Sequence, residues 1–248
     1  MNTMILGVFL LGLSAVKNLI NISFNELLSL LSRVFEAIYG HEHDFQEMAQ
    51  TLFWLESHGH SGTNKLIEKL PELEAIKNIY LPAPSIMKEV ITIDCLGASL
   101  FANASLICDL AFSEAENNGI AKVIITNAKD SYALLGYLGS ACNKSLSSYL
   151  LTDKLSAFIS PGSRYPLIYS ASSCKKIELT CSKNKSLIDM SFIEGLDPEI
   201  DESKQKSFYE LALKNGLSIS TLNYEKLNLI ADRILVPSTD ASRLGAGE

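Results

Sequence analysis

VITIDCLGASLFANASLICDLAFSEAENNGIAKVIIT, residues 90–126, decides the fold class. Residues 90–93 are a β-branched run and predict a strand. Leu100, Ala104, Ile107, Ala111 and Ala115 recur at helical spacing, so residues 99–118 predict one long helix with a single apolar face. Asn117-Asn118-Gly119 ends it with a residue able to take a positive φ. Residues 122–126 then predict a buried strand. A strand–helix–strand unit is parallel and right-handed in nearly all cases. Sheets of that kind place ligands beyond the carboxyl ends of their strands. Asp94 and Asp130 each follow one of these strands, so residues 94–95 and 126–132 form the candidate ligand edge.

Toward the N-terminus the period changes to helical. Residues 23–38, SFNELLSLLSRVFEAI, carry Leu27, Leu30, Leu31, Val34, Phe35 and Ile38 on one face. Ser23 and Glu26 have capping-box spacing, and Gly40 closes the helix. A second helix starts at Asp44 and stops near Gly59, with Phe45, Met48, Leu52 and Leu55 on one face. A third covers 63–69, where Pro71 is expected to interrupt it. Leu81-Pro82-Ala83-Pro84 reads as a linker. Toward the C-terminus, residues 131–142 predict a helix, 155–160, 166–170, 175–181 and 186–192 short strands, and 202–214 and 222–234 helices. The expected architecture is a mixed α/β fold: an apolar extension (1–21), a helical module (22–80) and an α/β domain (85–248) with a partly parallel sheet and flanking helices. The last two are expected to form one compact unit.

The chain has 248 residues, 47% of them hydrophobic and 20% charged, with a net charge of −7. That composition excludes a disordered chain and a disulfide scaffold. The acidity argues against a nucleic-acid partner. Cys95, Cys108, Cys142, Cys174 and Cys181 are odd in number and contain no CxxC pair, so they read as reduced thiols of a cytoplasmic protein. Residues 4–16, MILGVFLLGLSAV, form an apolar run too short to span a bilayer comfortably. An upstream start codon, a packed helix, and a signal peptide or anchor remain open for it. No membrane partner is expected.

Several constellations could carry chemistry. His41, His43, His58 and His60 fall within twenty residues. The two pairs flank opposite ends of a helix of about thirteen residues, roughly 20 Å long, so one metal ion cannot be held by both. No metal site is expected, and the histidines read as solvent-exposed loop residues. Gly136 and Gly139 read as a close helix-packing face, and residues 160–164, SPGSR, as a hairpin turn. In the tail VPSTDASRLGAGE, Ser238, Thr239, Asp240, Ser242 and Arg243 crowd together. Arg243 among hydroxyls suits a carboxylate or phosphate, and the competing reading is a frayed terminus. Glu47 and Asp94 are the candidate site carboxylates, with Ser238, Ser242 and Arg243 as anion-binding groups.

Ser57-His58-Gly59 after the second helix resembles the Ser-His-Gly of the malate/L-lactate dehydrogenase family, which uses nicotinamide cofactors without a Rossmann fold. The order of helices, then Ser-His-Gly, then VITID…NNGIAKVIITNAKD is also similar. The resemblance implies NAD(P) as cofactor and His58, paired with Ser57, as acid–base at a substrate carbonyl. The arginine that the family places shortly after the dyad has no match, the nearest bases being Lys65 and Lys69. A second resemblance covers Ile22 to the end. ISFNELLSLLSRVF…GHEHDFQEMAQTLFWLESHG and ILVPSTDASRLGAGE are similar to the two ends of a largely proteobacterial family known only as a domain of unknown function. Ser23, Asn25, Glu26, Glu47, Trp54 and Leu55 match. Gln46 replaces a carboxylate and His41 an aromatic residue. This resemblance implies small-molecule metabolism and no particular reaction.

The leading expectation is a protein that handles a small carboxylated metabolite in a catabolic pathway, as enzyme or accessory subunit, with no cofactor evident. The alternatives are an NAD(P)-dependent oxidoreductase of the malate/lactate dehydrogenase type, and a noncatalytic partner of an operon-encoded enzyme. A homo-oligomer is a further partner reading.

Overall fold

The computed structural model describes residues 18–40, 43–75, 81–140, 145–170 and 176–235. Its first strand, β1 (Leu19–Ile22), pairs antiparallel with β9 (Leu217–Ser220) in a two-stranded sheet. Leu19–Ile22 therefore belongs to the fold, and an extension running as far as residue 21 is corrected at its last residues. Ser23 then caps α1 (Phe24–Tyr39), its side chain accepting from the Glu26 amide at 3.2 Å. The reciprocal half of the capping box is replaced: the Glu26 carboxylate accepts from the Tyr224 hydroxyl at 2.9 Å. All six apolar residues predicted to face inward on α1 are buried. Each such burial contributes about 1.5–3 kcal/mol, so this one face anchors the helical layer.

Helix α2 (Phe45–Ser57) starts at Asp44, which accepts from the Glu47 amide at 2.9 Å. Helix α3 (Gly62–Ala75) does not stop at Pro71 but runs through it. Leu66, Leu70 and Leu73 are buried along it, and that burial outweighs the one hydrogen bond a proline forfeits. The predicted parallel unit follows the edge strand β2 (Ser85–Met87). It consists of β3 (Val90–Asp94), α4 (Ala104–Asn118) and β4 (Ile120–Thr126), with Asp94 opposite Thr126. The helix starts later than periodicity suggested, because residues 95–103 form a loop. Gly119 ends it in the left-handed region, donating to Ala115 O at 2.9 Å.

After α5 (Tyr132–Ser140) come β5 (Ser147–Leu151), β6 (Leu155–Ile159), β7 (Leu167–Ser170) and β8 (Ile177–Ser182). The sheet order is β2-β3-β4-β8-β5-β6-β7, and β3/β4 is its parallel pair. Strand β5 is buried along its whole length and was not anticipated. The strand expected over 186–192 is absent. Asn184 caps a short 3-10 turn there instead, and Asp189 accepts from the Ser191 amide. Helices α6 (Glu202–Asn215) and α7 (Thr221–Ala231), with a 3-10 turn at Asp232–Ile234, are the last elements among the described residues. Buried side chains of the helical layer and of the sheet belong to one cluster, with Phe35 against Phe101 at 5.9 Å. The mixed α/β class is as expected. Cys95, Cys108 and Cys181 are buried and form no disulfide. Among the described residues no helix is long and apolar enough to cross a membrane.

The two glycines of α5 set how closely it approaches α2. A Cβ on Gly136 would stand 2.6 Å from Thr51 O, and one on Gly139 would fall inside the Trp54 indole. Gly139→Ala is therefore expected to lower the unfolding free energy by about 1–3 kcal/mol through overpacking, read as an earlier midpoint in urea. An unchanged midpoint would show that the helices separate at no cost.

Candidate functional site

The parallel pair delivers two loops to one edge of the sheet, and main-chain hydrogen bonds join them. Cys95 N donates to Thr126 O at 2.9 Å and Gly97 N to Asn127 O at 2.6 Å. Lys129 N donates to Ala98 O at 3.0 Å, and Leu100 N to Lys129 O at 2.9 Å. Asn127 and Asp130 have φ of 51° and 59°. Asn and Asp tolerate that left-handed region better than other side chains. The Asp94 carboxylate accepts from the Leu96 amide and from Asn127 Nδ2, both at 2.9 Å. These bonds hold its carboxyl below the usual carboxylate range. Asp94 thus clips the two loops together rather than facing a ligand.

Beyond the ends of β3 and β4 opens a cleft of about 550 Å³. Asn127, Lys129, Asp130 and Ser131 line it from the β4–α5 loop, Lys69 from α3, Asp153 and Lys154 from the β5–β6 turn, and Lys176 from the entry to β8. Thr152 shapes the β5–β6 turn, its hydroxyl accepting from the Lys154 and Leu155 amides at 3.1 and 3.0 Å. Four lysines against two aspartates make this cleft basic in a chain whose net charge is −7. Glu72 pairs with Lys69 at 3.2 Å and with Lys129 at 3.3 Å. All three side chains are at least one-third exposed. Such exposed pairs are screened by water and hold little energy, so an incoming anion can re-pair the lysines at little cost.

The Ser57-His58 pair lies elsewhere. His58 is 6% exposed and Ser57 1%. The His58 ring stacks on Trp54 (centroids 4.4 Å apart) and on Tyr209 (5.1 Å), with Tyr165 at 5.6 Å. Its Nδ1 is 2.8 Å from Trp54 O, an atom that only accepts, so Nδ1 carries the proton. Ser57 Oγ donates to the same carbonyl at 3.2 Å and lies 3.0 Å from Nδ1. With Nδ1 protonated, His58 has no lone pair there to take the serine proton. Burial lowers the His58 pKa. His60 also stacks on Trp54, at 5.5 Å. The expectation of solvent-exposed loop histidines is corrected for His58, which is buried, and for His60, which is half-buried. Trp54 accounts for both, since its indole offers the two rings an apolar surface to cover.

Glu47 stands in the first turn of α2 and does not line the cleft. Glu47, Asp94 and the Ser57-His58 pair are not brought together. Ser238, Ser242 and Arg243 lie outside the described residues. His43 and His58 sit at opposite ends of α2, and among the described residues no group of three potential metal ligands assembles. Ser163 N donates to Ser160 O at 3.1 Å, a plain turn between β6 and β7. Sequence reasoning missed Lys69, Lys154 and Lys176 as cleft residues. Lys129 had a signal, because it adjoins Asp130 on the anticipated ligand edge.

The buried imidazoles generate a pH prediction. Burial first, then Lys65 and His58, push the His60 pKa down to about 4, against an upward pull from Gln205. The unfolded chain, with a histidine pKa near 6.5, binds the proton more readily. This stability is therefore fully present above about pH 6.5 and is lost as pH falls toward 4. The melting temperature is expected to drop over that window, and His60→Gln should flatten part of the drop. A variant with the wild-type pH profile would remove His60 from the cause.

No family model matches the chain, and no curated protein does. Solved structures do. Malate dehydrogenase from Pyrococcus horikoshii OT3 is 15% identical over 90% of this chain and 98% of that chain, with a TM-score of 0.65. Sulfolactate dehydrogenase from Methanocaldococcus jannaschii is 13% identical over 86% and 97%, with a TM-score of 0.61. Delta1-piperideine-2-carboxylate reductase from Pseudomonas syringae pvar. tomato is 9% identical over 85% and 99%, with a TM-score of 0.59. At these identities the likeness is one of fold: the chain folds like the malate/lactate-dehydrogenase-type enzymes, as the Ser-His-Gly resemblance implied.

Proposed function

We propose that the protein binds a small carboxylated metabolite in the cleft beyond β3 and β4 and acts on it as an NAD(P)-dependent oxidoreductase. The observation that carries this reading is the basic cleft at the carboxyl edge of the parallel pair, in a fold shared with enzymes of that type. The names of those enzymes give carboxylates as their substrates. Lysine ammonium groups suit a carboxylate as they suit a dinucleotide pyrophosphate. Lys69 and Lys129 on one side, and Lys154 and Lys176 on the other, are the residues that would hold the two anions. The nicotinamide, when bound, supplies or accepts hydride. The chain's own contribution is charge, orientation by the joined loops, and a proton held at a lysine Nζ. Among the described residues no histidine lines the cleft, and His58 is committed to its aromatic stack.

That last observation favours a second reading: an accessory protein that keeps the dehydrogenase fold and binds the metabolite without turnover. The two separate in one experiment. Under the first, the protein quenches NADH or NADPH fluorescence on binding and consumes the nucleotide with 2-oxo acids or cyclic imino acids. Carboxylate binding without nucleotide binding or turnover would leave the second reading, and no carboxylate binding would overturn both. Lys129→Gln and Lys154→Gln are each expected to weaken carboxylate binding roughly 10-fold or more, the loss of one charged hydrogen bond of about 1.5–3 kcal/mol. Unchanged affinity in both variants would place the anion elsewhere.

A further inference from the structure

Helix α6 turns a single buried residue, Gln205, to the interior. Its Phe208, Leu211 and Leu213 are 47%, 58% and 63% exposed, so among the described residues nothing covers them. A helix of this length is marginal alone and is ordinarily held by its apolar face. Two grooves of about 430 Å³ each flank its C-terminal half. Leu213 lines one with Ile22 and Phe24, and Phe208 and Leu211 line the other with Glu56 and Gly59. A Cβ on Gly59 would stand 2.7 Å from the Phe208 ring, so the helix is pinned there. Ala212, Asn215, Gly216 and Asn21 of β1 belong to both grooves, which therefore adjoin. Glu56 is the charged residue in their linings. It is already engaged, accepting from Thr63 N at 2.7 Å and Thr63 Oγ1 at 2.9 Å. The grooves thus ask for an uncharged, apolar occupant.

The chain itself holds such a segment. Residues 4–16, MILGVFLLGLSAV, lie outside the described residues and carry no charged side chain. They join the fold beside the grooves. Asn18 O accepts from Thr221 N at 2.8 Å, and Leu19 stands two residues before Asn21, roughly 7 Å along a strand. Thirteen residues span about 20 Å as a helix, and the fourteen of α6 about 21 Å. We propose that residues 4–16 of the same chain cover α6 and fill the grooves at Phe208, Leu211 and Leu213. Position, length and lack of charge all agree. The tether decides for the same chain over a second copy, because a segment joined through two residues is present at an effective concentration of about millimolar. The docked segment would also back the seam in which Tyr209 of α6 closes over His58. The inference is independent of the cleft and of its reaction.

Amide hydrogen exchange of the full chain, read by mass spectrometry over residues 206–216, tests this. Phe9→Asp puts a charge in the run. Leu211→Lys puts one in the groove, with a helix propensity close to that of leucine. Each is expected to speed exchange in α6 about 10-fold or more, the effect of uncovering one large apolar side chain. The double variant should exchange no faster than the faster single one, because both remove the same contact. Exchange in β3 and β4 should stay at the wild-type rate. Leu11→Asp, at a second position of the run, should repeat the Phe9→Asp result. Unchanged α6 exchange in both Phe9→Asp and Leu11→Asp would overturn the proposal, and so would additive effects in the double variant. Protection that grows with protein concentration, alongside a dimer in sedimentation, would make the occupant a second copy and overturn it. Flotation with phosphatidylglycerol vesicles that Phe9→Asp abolishes, while α6 exchange ignores that variant, would give the run to a membrane and overturn it as well.

Discussion

Four backbone hydrogen bonds between the loops that leave β3 and β4 hold the candidate site together. Parallel strands are what make them available, since both loops then leave the sheet at the same edge. Main-chain bonds of this kind ask nothing of the side chains beyond a tolerance for left-handed φ, which Asn127 and Asp130 supply. Side chains at 128–131 are therefore free to serve a ligand. Asp94 completes the junction by accepting from both loops. The carboxylate that stands at the ligand edge in sequence is used to build that edge, and the lysines around it are left to face the cleft.

The histidines show the opposite economy. His58 and His60 lie on the Trp54 indole, and Tyr209 of α6 closes over His58. Gln205, the one buried residue of α6, reaches Pro166 O and so fixes the helix to the β6–β7 connection. A neutral imidazole suits this seam because it is flat, stacks well and can satisfy a backbone carbonyl. The same burial that makes it a good seam lowers its proton affinity. Catalytic and structural histidines carry the same letter in a sequence, and their surroundings distinguish them.

Where a signal is local, the sequence was legible. The inward face of α1, the capping at Ser23 and Asp44, the stop at Gly119 and the β3–α4–β4 unit all depend on residues within a few positions of one another. Errors arose where packing overrides local preference. Pro71 is carried through α3 by buried leucines, β5 (Ser-Ser-Tyr-Leu-Leu) is buried on both faces and so shows no alternation, and the apolar run after Asn184 turns instead of pairing. The edge at which the parallel strands end was legible at 94–95 and 126–132. The cleft that occupies it was not, because its cations come from Lys69, Lys129, Lys154 and Lys176, four elements far apart in the chain.

By itself, then, the sequence determined the class of fold and the direction of its central strands. Those follow from periodicity and from the handedness of the crossover, both written into consecutive residues. Only the tertiary structure decided which side chains meet where those strands end. It turned Ser57 and His58 inward onto Trp54, made Asp94 a clip and gathered scattered lysines into a basic cleft. The reason is physical: charge density and cavity shape are sums over residues brought together by folding, and no window along the chain contains them.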